Sequence, residues 1–158
     1  MKMVNKYAEV QLFTKADALS QQFHETWRCI HINLAGKKNR VNAGARKNFV
    51  TGALNELLSS KDGTIYVCDD GDVFVLFQGQ LSPVMKILSG HFGELEASAQ
   101  HPQAATGPFT VFDLSRQFQE FFTLCENKHL RAIIESEVMR AQVAYQQHAN
   151  VTAEPLSQ

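Results

Sequence analysis

The stretch TIYVCDDGDVFVLF, residues 64–77, decides the fold. Two runs rich in β-branched and aromatic residues, Thr64–Cys68 and Val73–Phe77, flank the short polar connection Asp69–Asp72. This pattern predicts an antiparallel hairpin. The second run is apolar at every position, so we predict a central strand that is covered on both faces of its sheet.

The elements around the hairpin predict the topology. They are a strand at 27–34, a helix that ends before Lys61, a helix over 82–92, a strand at 109–112 and a helix over 113–124. The resulting order is strand, helix, strand, strand, helix, strand. That order is typical of the α+β, ferredoxin-like βαββαβ fold, in which a four-stranded antiparallel sheet carries two crossover helices on one face.

The chain divides into one core and its appendages. We predict an N-terminal helical extension at 1–26 with a helix that begins at Thr14, and a ferredoxin-like core at 27–125. A long helix at 126–148 and a flexible tail at 149–158 follow. The terminal helices are expected to cover the second face of the sheet.

Composition excludes several classes of protein. The 158 residues carry a formal net charge of −1 and are 44% hydrophobic, which fits one globular domain without a disulfide scaffold. No apolar run is long enough to span a bilayer. The cysteines Cys29, Cys68 and Cys125 form no CxxC pair, which favours a reducing, cytoplasmic compartment and argues against a zinc cluster.

Three segments resemble the diguanylate-cyclase (GGDEF) domain of bacterial signalling proteins. They are the strand residues His31-Ile32-Asn33, the Lys- and Asn-containing loop 36–44, and the hairpin Asp70-Gly71-Asp72-Val73-Phe74. The resemblance covers about a third of the chain and implies a palm-type polymerase relative built on the predicted core.

The resemblance also implies that catalysis is lost. Two divalent cations in a phosphoryl-transfer site need hard oxygen ligands, usually carboxylates. His31 and Asn33 stand where carboxylates are expected, and Asp72 alone remains as a plausible ligand. We therefore predict no catalytic residue, no metal and no cofactor, and we favour the alternative that Asp69, Asp70 and Asp72 are turn formers whose side chains bond the hairpin backbone.

A basic segment is the candidate binding surface. Six basic residues and no acidic one lie between Glu25 and Glu56. The candidate binding residues are Lys37, Lys38, Arg40, Arg46 and Lys47, together with Asp72. This surface could bind an acidic protein face, or a nucleotide or RNA with His31, Asn33 and Asp72 on an exposed sheet edge. The alternative is a solvated loop.

The last predicted helix carries a candidate interface. Its apolar positions are Leu130, Ile134, Val138, Ala141 and Tyr145. The stripe is longer than a four-stranded sheet would cover, so it either packs on the open sheet face or pairs with a protein partner, including a second copy in a homodimer. We interpret the chain as an inactive signalling or protein-interaction module, with a nucleotide- or RNA-binding module as the alternative.

Overall fold

The computed structural model describes residues 1–34, 43–59, 63–97 and 109–156. The chain is α+β, with nine elements in these ranges: β1 Lys2–Val4, α1 Ala8–Ser20, β2 Trp27–Ile32, α2 Ala43–Leu58, β3 Gly63–Val67, β4 Val73–Gln78, α3 Leu81–Ala97, β5 Phe109–Asp113 and α4 Phe118–Leu156.

The strands form a five-stranded mixed sheet in the order β1-β3-β4-β2-β5. The predicted hairpin is present, with Thr64 opposite Leu76 and Val67 opposite Val73. Strand β2 pairs antiparallel with both β4 and β5. The prediction of a four-stranded antiparallel sheet is wrong in one respect, because β1 adds an edge strand that runs parallel to β3.

Strand β4 is buried from Val73 to Phe77, as the apolar run predicted. Its alternate residues enter two separate cores, since successive side chains of a strand point to opposite faces. Val73, Val75 and Phe77 pack with apolar residues of α2 and α3. Phe74 and Leu76 pack with apolar residues of α1 and α4. The terminal helices therefore cover the second face, as expected.

The N-terminal segment differs from the predicted helical extension. A strand precedes the helix, and the helix begins at Ala8 instead of Thr14. The Thr14 hydroxyl donates to the carbonyl of Val10, one turn earlier in the same helix, so it does not cap a helix start. At 3 residues, β1 is too short to give a visible period-two pattern in the sequence.

The C-terminal segment is one helix and not two. The carboxylate of Asp113 accepts hydrogen bonds from the backbone and hydroxyl of Ser115, so it stabilises a turn. Helix α4 then runs for 39 residues without a break at the predicted boundary near 126. Since the sequence has no Gly or Pro between 118 and 154, nothing stops the helix there. Its length is about 58 Å.

The packing of α1 is tested by the substitution Leu12→Ala. Leu12 is fully buried, whereas Val10 on the same helix is 44% exposed. We expect Leu12→Ala to lower the free energy of unfolding by about 2–5 kcal/mol, because it leaves a cavity between helix and sheet. Val10→Ala is the control and should change it by less than about 1 kcal/mol. Equal effects of the two variants in urea denaturation would contradict this second core.

Candidate functional site

The candidate site lies where the β3–β4 turn meets α4. Strand β2 contributes His31, the turn contributes Asp70 and Asp72, and α4 contributes Lys128. Because β2 is the antiparallel neighbour of β4, with Ile32 opposite Val73, the fold places His31 beside the residue that precedes β4.

The turn itself explains the acidic sequence DDGD. The carboxylate of Asp70 accepts a hydrogen bond of 3.0 Å from the backbone N–H of Asp72. Gly71 has φ +97°, a conformation that disfavours residues with a Cβ. The turn-forming alternative is thus confirmed for Asp70, while the side chain of Asp72 points to other partners.

An ion network joins the turn to the helix. His31 Nε2 lies 2.9 Å from Asp72 Oδ2, and the His31 ring stacks on Phe74. Lys128 Nζ donates to Asp70 Oδ2 at 2.6 Å and to Asp72 Oδ2 at 2.5 Å. His31, Asp72 and Lys128 are 8%, 3% and 8% exposed. Buried charges of this kind are tolerated because each has an oppositely charged or hydrogen-bonded partner.

The network keeps Lys128 charged. Burial alone lowers the pKa of Lys128, but the hydrogen bonds from its ammonium to Asp70 and Asp72, together with their negative charges, raise the pKa above the usual lysine value. The ammonium therefore stays protonated at neutral pH and offsets part of the negative charge of the turn.

This arrangement leaves little for a metal ion to bind. A cation on the carboxylate oxygens of Asp70 and Asp72 would have to displace Lys128. Among the described residues, Glu9, Cys68 and Asp70 bring potential ligand atoms within 4.8 Å of one another. Burial raises the pKa of the Cys68 thiol well above neutrality, and a protonated thiol is a poor metal ligand. Glu9 already accepts a hydrogen bond from the backbone of Asp69.

An open cleft of about 320 Å³ adjoins the network, at the lower end of the range for small-molecule sites. Its lining residues are His31, Asn33, Asp70, Asp72, Leu124, Asn127, Lys128 and Arg131. The charges of this lining balance, and the amides of Asn33 and Asn127 lie among them. The cleft can therefore take a small polar molecule, although Lys128 already pairs with both Asp70 and Asp72.

The predicted basic binding residues lie wholly or partly outside the described part of the chain. Lys37, Lys38 and Arg40 lie outside the described residues. Arg46 and Lys47 belong to α2, and their side chains also lie outside the described part of the chain.

Two placements predicted around Asp72 are wrong. Asp72 is not a surface residue, because its carboxylate is enclosed by His31 and Lys128. The exposed sheet edge expected for His31 and Asp72 is also absent, since β2 lies between β4 and β5 and α4 covers this face. Asn33 is exposed and lines the cleft.

Sequence reasoning missed Lys128. Its spacing was a usable signal, because Phe121, Cys125 and Lys128 recur at i, i+4 and i+7, the spacing of one helix face. All three are buried. A lysine on an apolar helix face indicates a buried acidic partner, and the turn supplies it.

The second candidate surface is the distal stripe, which we define as Leu130, Ile134, Val138, Ala141 and Tyr145. These residues are exposed, with Ile134 at 61% and Tyr145 at 74%. Leu130 follows the buried Phe121 by nine residues, about two and a half turns, and so lies on the opposite side of the helix. The alternative that the stripe packs on the sheet is therefore wrong.

Within the described residues, no helix combines the length and apolarity that a membrane crossing requires. No protein-family model, no curated protein and no solved structure matches this chain. The site is therefore interpreted from its own chemistry.

The ion network is tested by Lys128→Met. We expect a loss of about 3 kcal/mol in the free energy of unfolding, because the change leaves buried carboxylate charge without its partner. Arg131→Met is the matched control on the exposed cleft rim and should cost less than about 0.5 kcal/mol. Adding Asp70→Asn and Asp72→Asn to Lys128→Met should recover most of the lost free energy of unfolding, because the unpaired carboxylate charges are then removed. Similar losses for Lys128→Met and Arg131→Met would count against the network.

The stability gap between wild type and Lys128→Met should depend on pH. Because the folded state raises the pKa of Lys128, its contribution is complete below the unfolded value of about 10.4 and is lost as the pH rises through the higher folded value. Urea denaturation at pH 8 and pH 11 measures the gap. Burial raises the pKa of Tyr66 to about 12, but both proteins contain Tyr66, so its effect cancels. A gap that stays constant or widens at pH 11 would contradict this linkage.

Proposed function

We propose that this chain is a non-catalytic interaction module of a bacterial signalling system, and that it acts through a protein partner bound to the distal stripe of α4. The observation that carries the proposal is the exposure of this stripe on the side of α4 that faces away from the core.

The outward face of α4 changes character along its length. Over the sheet it presents exposed polar side chains, namely Gln119, Thr123 and Asn127. From Leu130 onward the same face is apolar, and the exposed residue Ile133 extends it on one side. A polar face needs no cover, whereas a contiguous exposed apolar face is typical of protein–protein contact. The change at Leu130 supports a partner for the distal half alone.

The ion network supports the absence of catalysis. Metal-dependent phosphoryl transfer uses carboxylates to hold cations against the substrate phosphates. Here Lys128 donates to both Asp70 and Asp72, and its raised pKa keeps it charged. The carboxylates of the turn are therefore paired with the Lys128 ammonium, and this pairing holds α4 against the turn.

The relation to GGDEF domains belongs to the same proposal. The order β3-β4-β2-β5 and the position of α2 and α3 on one face are compatible with a ferredoxin-like core. In this interpretation β1 and the helices α1 and α4 are additions around that core. The resemblance of His31-Ile32-Asn33 and Asp70–Phe74 then reflects a polymerase-like scaffold whose cation ligands were replaced.

A nucleotide- or RNA-binding module is the second candidate, and the open cleft favours it. Arg131 lies on the cleft with Asn33, so a small anion and a base edge could both find partners there. Base stacking on the sheet, as in many RNA-binding domains, is disfavoured because Phe74 and Phe112 are buried. A thermal-shift screen with guanine nucleotides and short RNAs, with and without magnesium, tests this candidate.

The interaction proposal is tested by Ile134→Glu with Val138→Glu in one chain. The matched control is Gln119→Glu with Thr123→Glu, which has the same spacing on the polar part of the outward face. Tagged chains are recovered from the native cell beside an untagged copy, and the proteins retained are quantified. Loss of two buried apolar contacts is worth at least about 2 kcal/mol, so we expect retention of a stoichiometric partner to fall at least tenfold for the distal variant only.

Two results would contradict the proposal. One is the retention of no protein, the untagged copy included, by the wild-type chain. The other is equal retention by the distal variant and its control. Unfolding curves of both variants, expected to match the wild type within about 1 kcal/mol, show that the fold is kept.

A further inference from the structure

We infer that the occupant of the distal stripe is a second copy of this chain, bound antiparallel along α4 with a two-fold axis near residue 137. This inference rests on the proposed function and names its partner. The evidence is the self-complementarity of α4 in charge, side-chain size and length.

Charge selects the antiparallel direction. Glu137 borders the stripe, about 20° beyond Leu130 around the helix axis, and pairs with Arg140 of its own helix at 3.3 Å, both side chains being exposed. A parallel pair in register would set the Glu137 side chains of the two copies at the same height along the seam, and like charges across a helix seam repel. An antiparallel pair centred near 137 instead brings Glu137 close to the second copy's Arg140. Two-fold symmetry makes that contact twice.

Side-chain size agrees with this direction. With the axis near 137, Ile134 faces the second copy's Ala141, and Leu130 faces the second copy's Tyr145. Each large residue of the first half therefore meets a different residue of the second half, and the small Ala141 leaves room for Ile134. The parallel direction would set Ala141 against Ala141 and leave a gap, which costs packing energy.

The spacing of the stripe predicts how the helices cross. Leu130 and Ile134 recur eleven residues later as Ala141 and Tyr145. An eleven-residue repeat has about 3.67 residues per turn, close to the value of a straight helix. Two such helices can remain in contact over several turns without the left-handed supercoil of a heptad seam.

The length of α4 also fits this register. The helix spans Phe118–Leu156, so its midpoint is residue 137. An axis at the midpoint aligns the two helices from end to end and sets the stripe of each copy against the stripe of the other. Because Phe121 and Cys125 are on the opposite side of the helix, the two cores lie outside the pair and do not collide.

Oligomeric state is the first test. Sedimentation velocity of the full chain should show a dimer, and the variant Ile134→Glu with Val138→Glu should sediment as a monomer. The control Gln119→Glu with Thr123→Glu keeps the apolar contacts and should lose affinity by less than tenfold. A wild-type chain that is monomeric at about 100 μM, some hundredfold above a micromolar Kd, would overturn the inference.

The relative direction of the two helices is tested with a spin label attached to the thiol that Thr123→Cys introduces. The distance between the labels of the two copies is measured. The native Cys29, Cys68 and Cys125 are buried. The spin-label reagent therefore reacts with the introduced, exposed thiol and not with the native ones. In the antiparallel register the two labels are about 29 residues apart along the axis, or about 44 Å. In a parallel pair they would be separated mainly by the interaxial distance of about 10 Å. A short distance between the labels overturns the antiparallel arrangement.

The failures of the two proposals are distinguishable. A monomer that still binds another protein through the distal stripe overturns this inference and leaves the proposed function standing. A monomer whose stripe binds nothing overturns both.

Discussion

Burial of β4 on both faces is the constraint on which the rest of the structure depends. A strand that is apolar at five successive positions needs a core on each side, and one pair of crossover helices supplies only one of them. The second core therefore requires α1 and α4. Once α4 lies across the sheet next to the β3–β4 turn, the position of Lys128 follows from helix geometry.

The ion network and the distal stripe are two results of this one placement. The inner face of α4 continues from Phe121 and Cys125 to Lys128, where the sheet ends and the acidic turn begins. A lysine suits this position because its side chain has two parts. Its hydrocarbon stem packs beside the apolar inner face of α4, and its ammonium reaches the carboxylates of the turn. Beyond it the outward face is apolar and exposed. The helix thus holds the fold with one side and exposes an apolar stripe on the other.

Much of this architecture could be predicted from the sequence, because it depends on local patterns. The hairpin, the central position of β4 and the cover of both faces follow from periodicity and from the turn residues around Gly71. Strand β1 could not be predicted, because three residues carry no period and its pairing with β3 is set by distant contacts. The two helices predicted at 113–124 and 126–148 form a single turn and a single helix, since Asp113 uses its side chain within the turn.

The candidate site was predicted less well, and the reason is physical. Asp72 was singled out, but whether it binds a ligand or a neighbouring side chain depends on which residue the tertiary fold brings to it. His31 and Lys128 are 41 and 56 residues away from it in the chain. The spacing of Phe121, Cys125 and Lys128 marks the lysine as inward-facing, yet only the strand order identifies its carboxylate partners.

Helix α4 has a mechanical consequence because it is continuous. Residues 118–156 form one continuous helical rod, so the distal stripe and Lys128 keep a defined angle to each other about its axis. Turning the rod by a single residue's angular step, about 100°, would lift the Lys128 ammonium off both carboxylates. The buried ion pairs therefore fix the rotation of α4 about its own axis. They thereby fix the direction in which the apolar stripe faces.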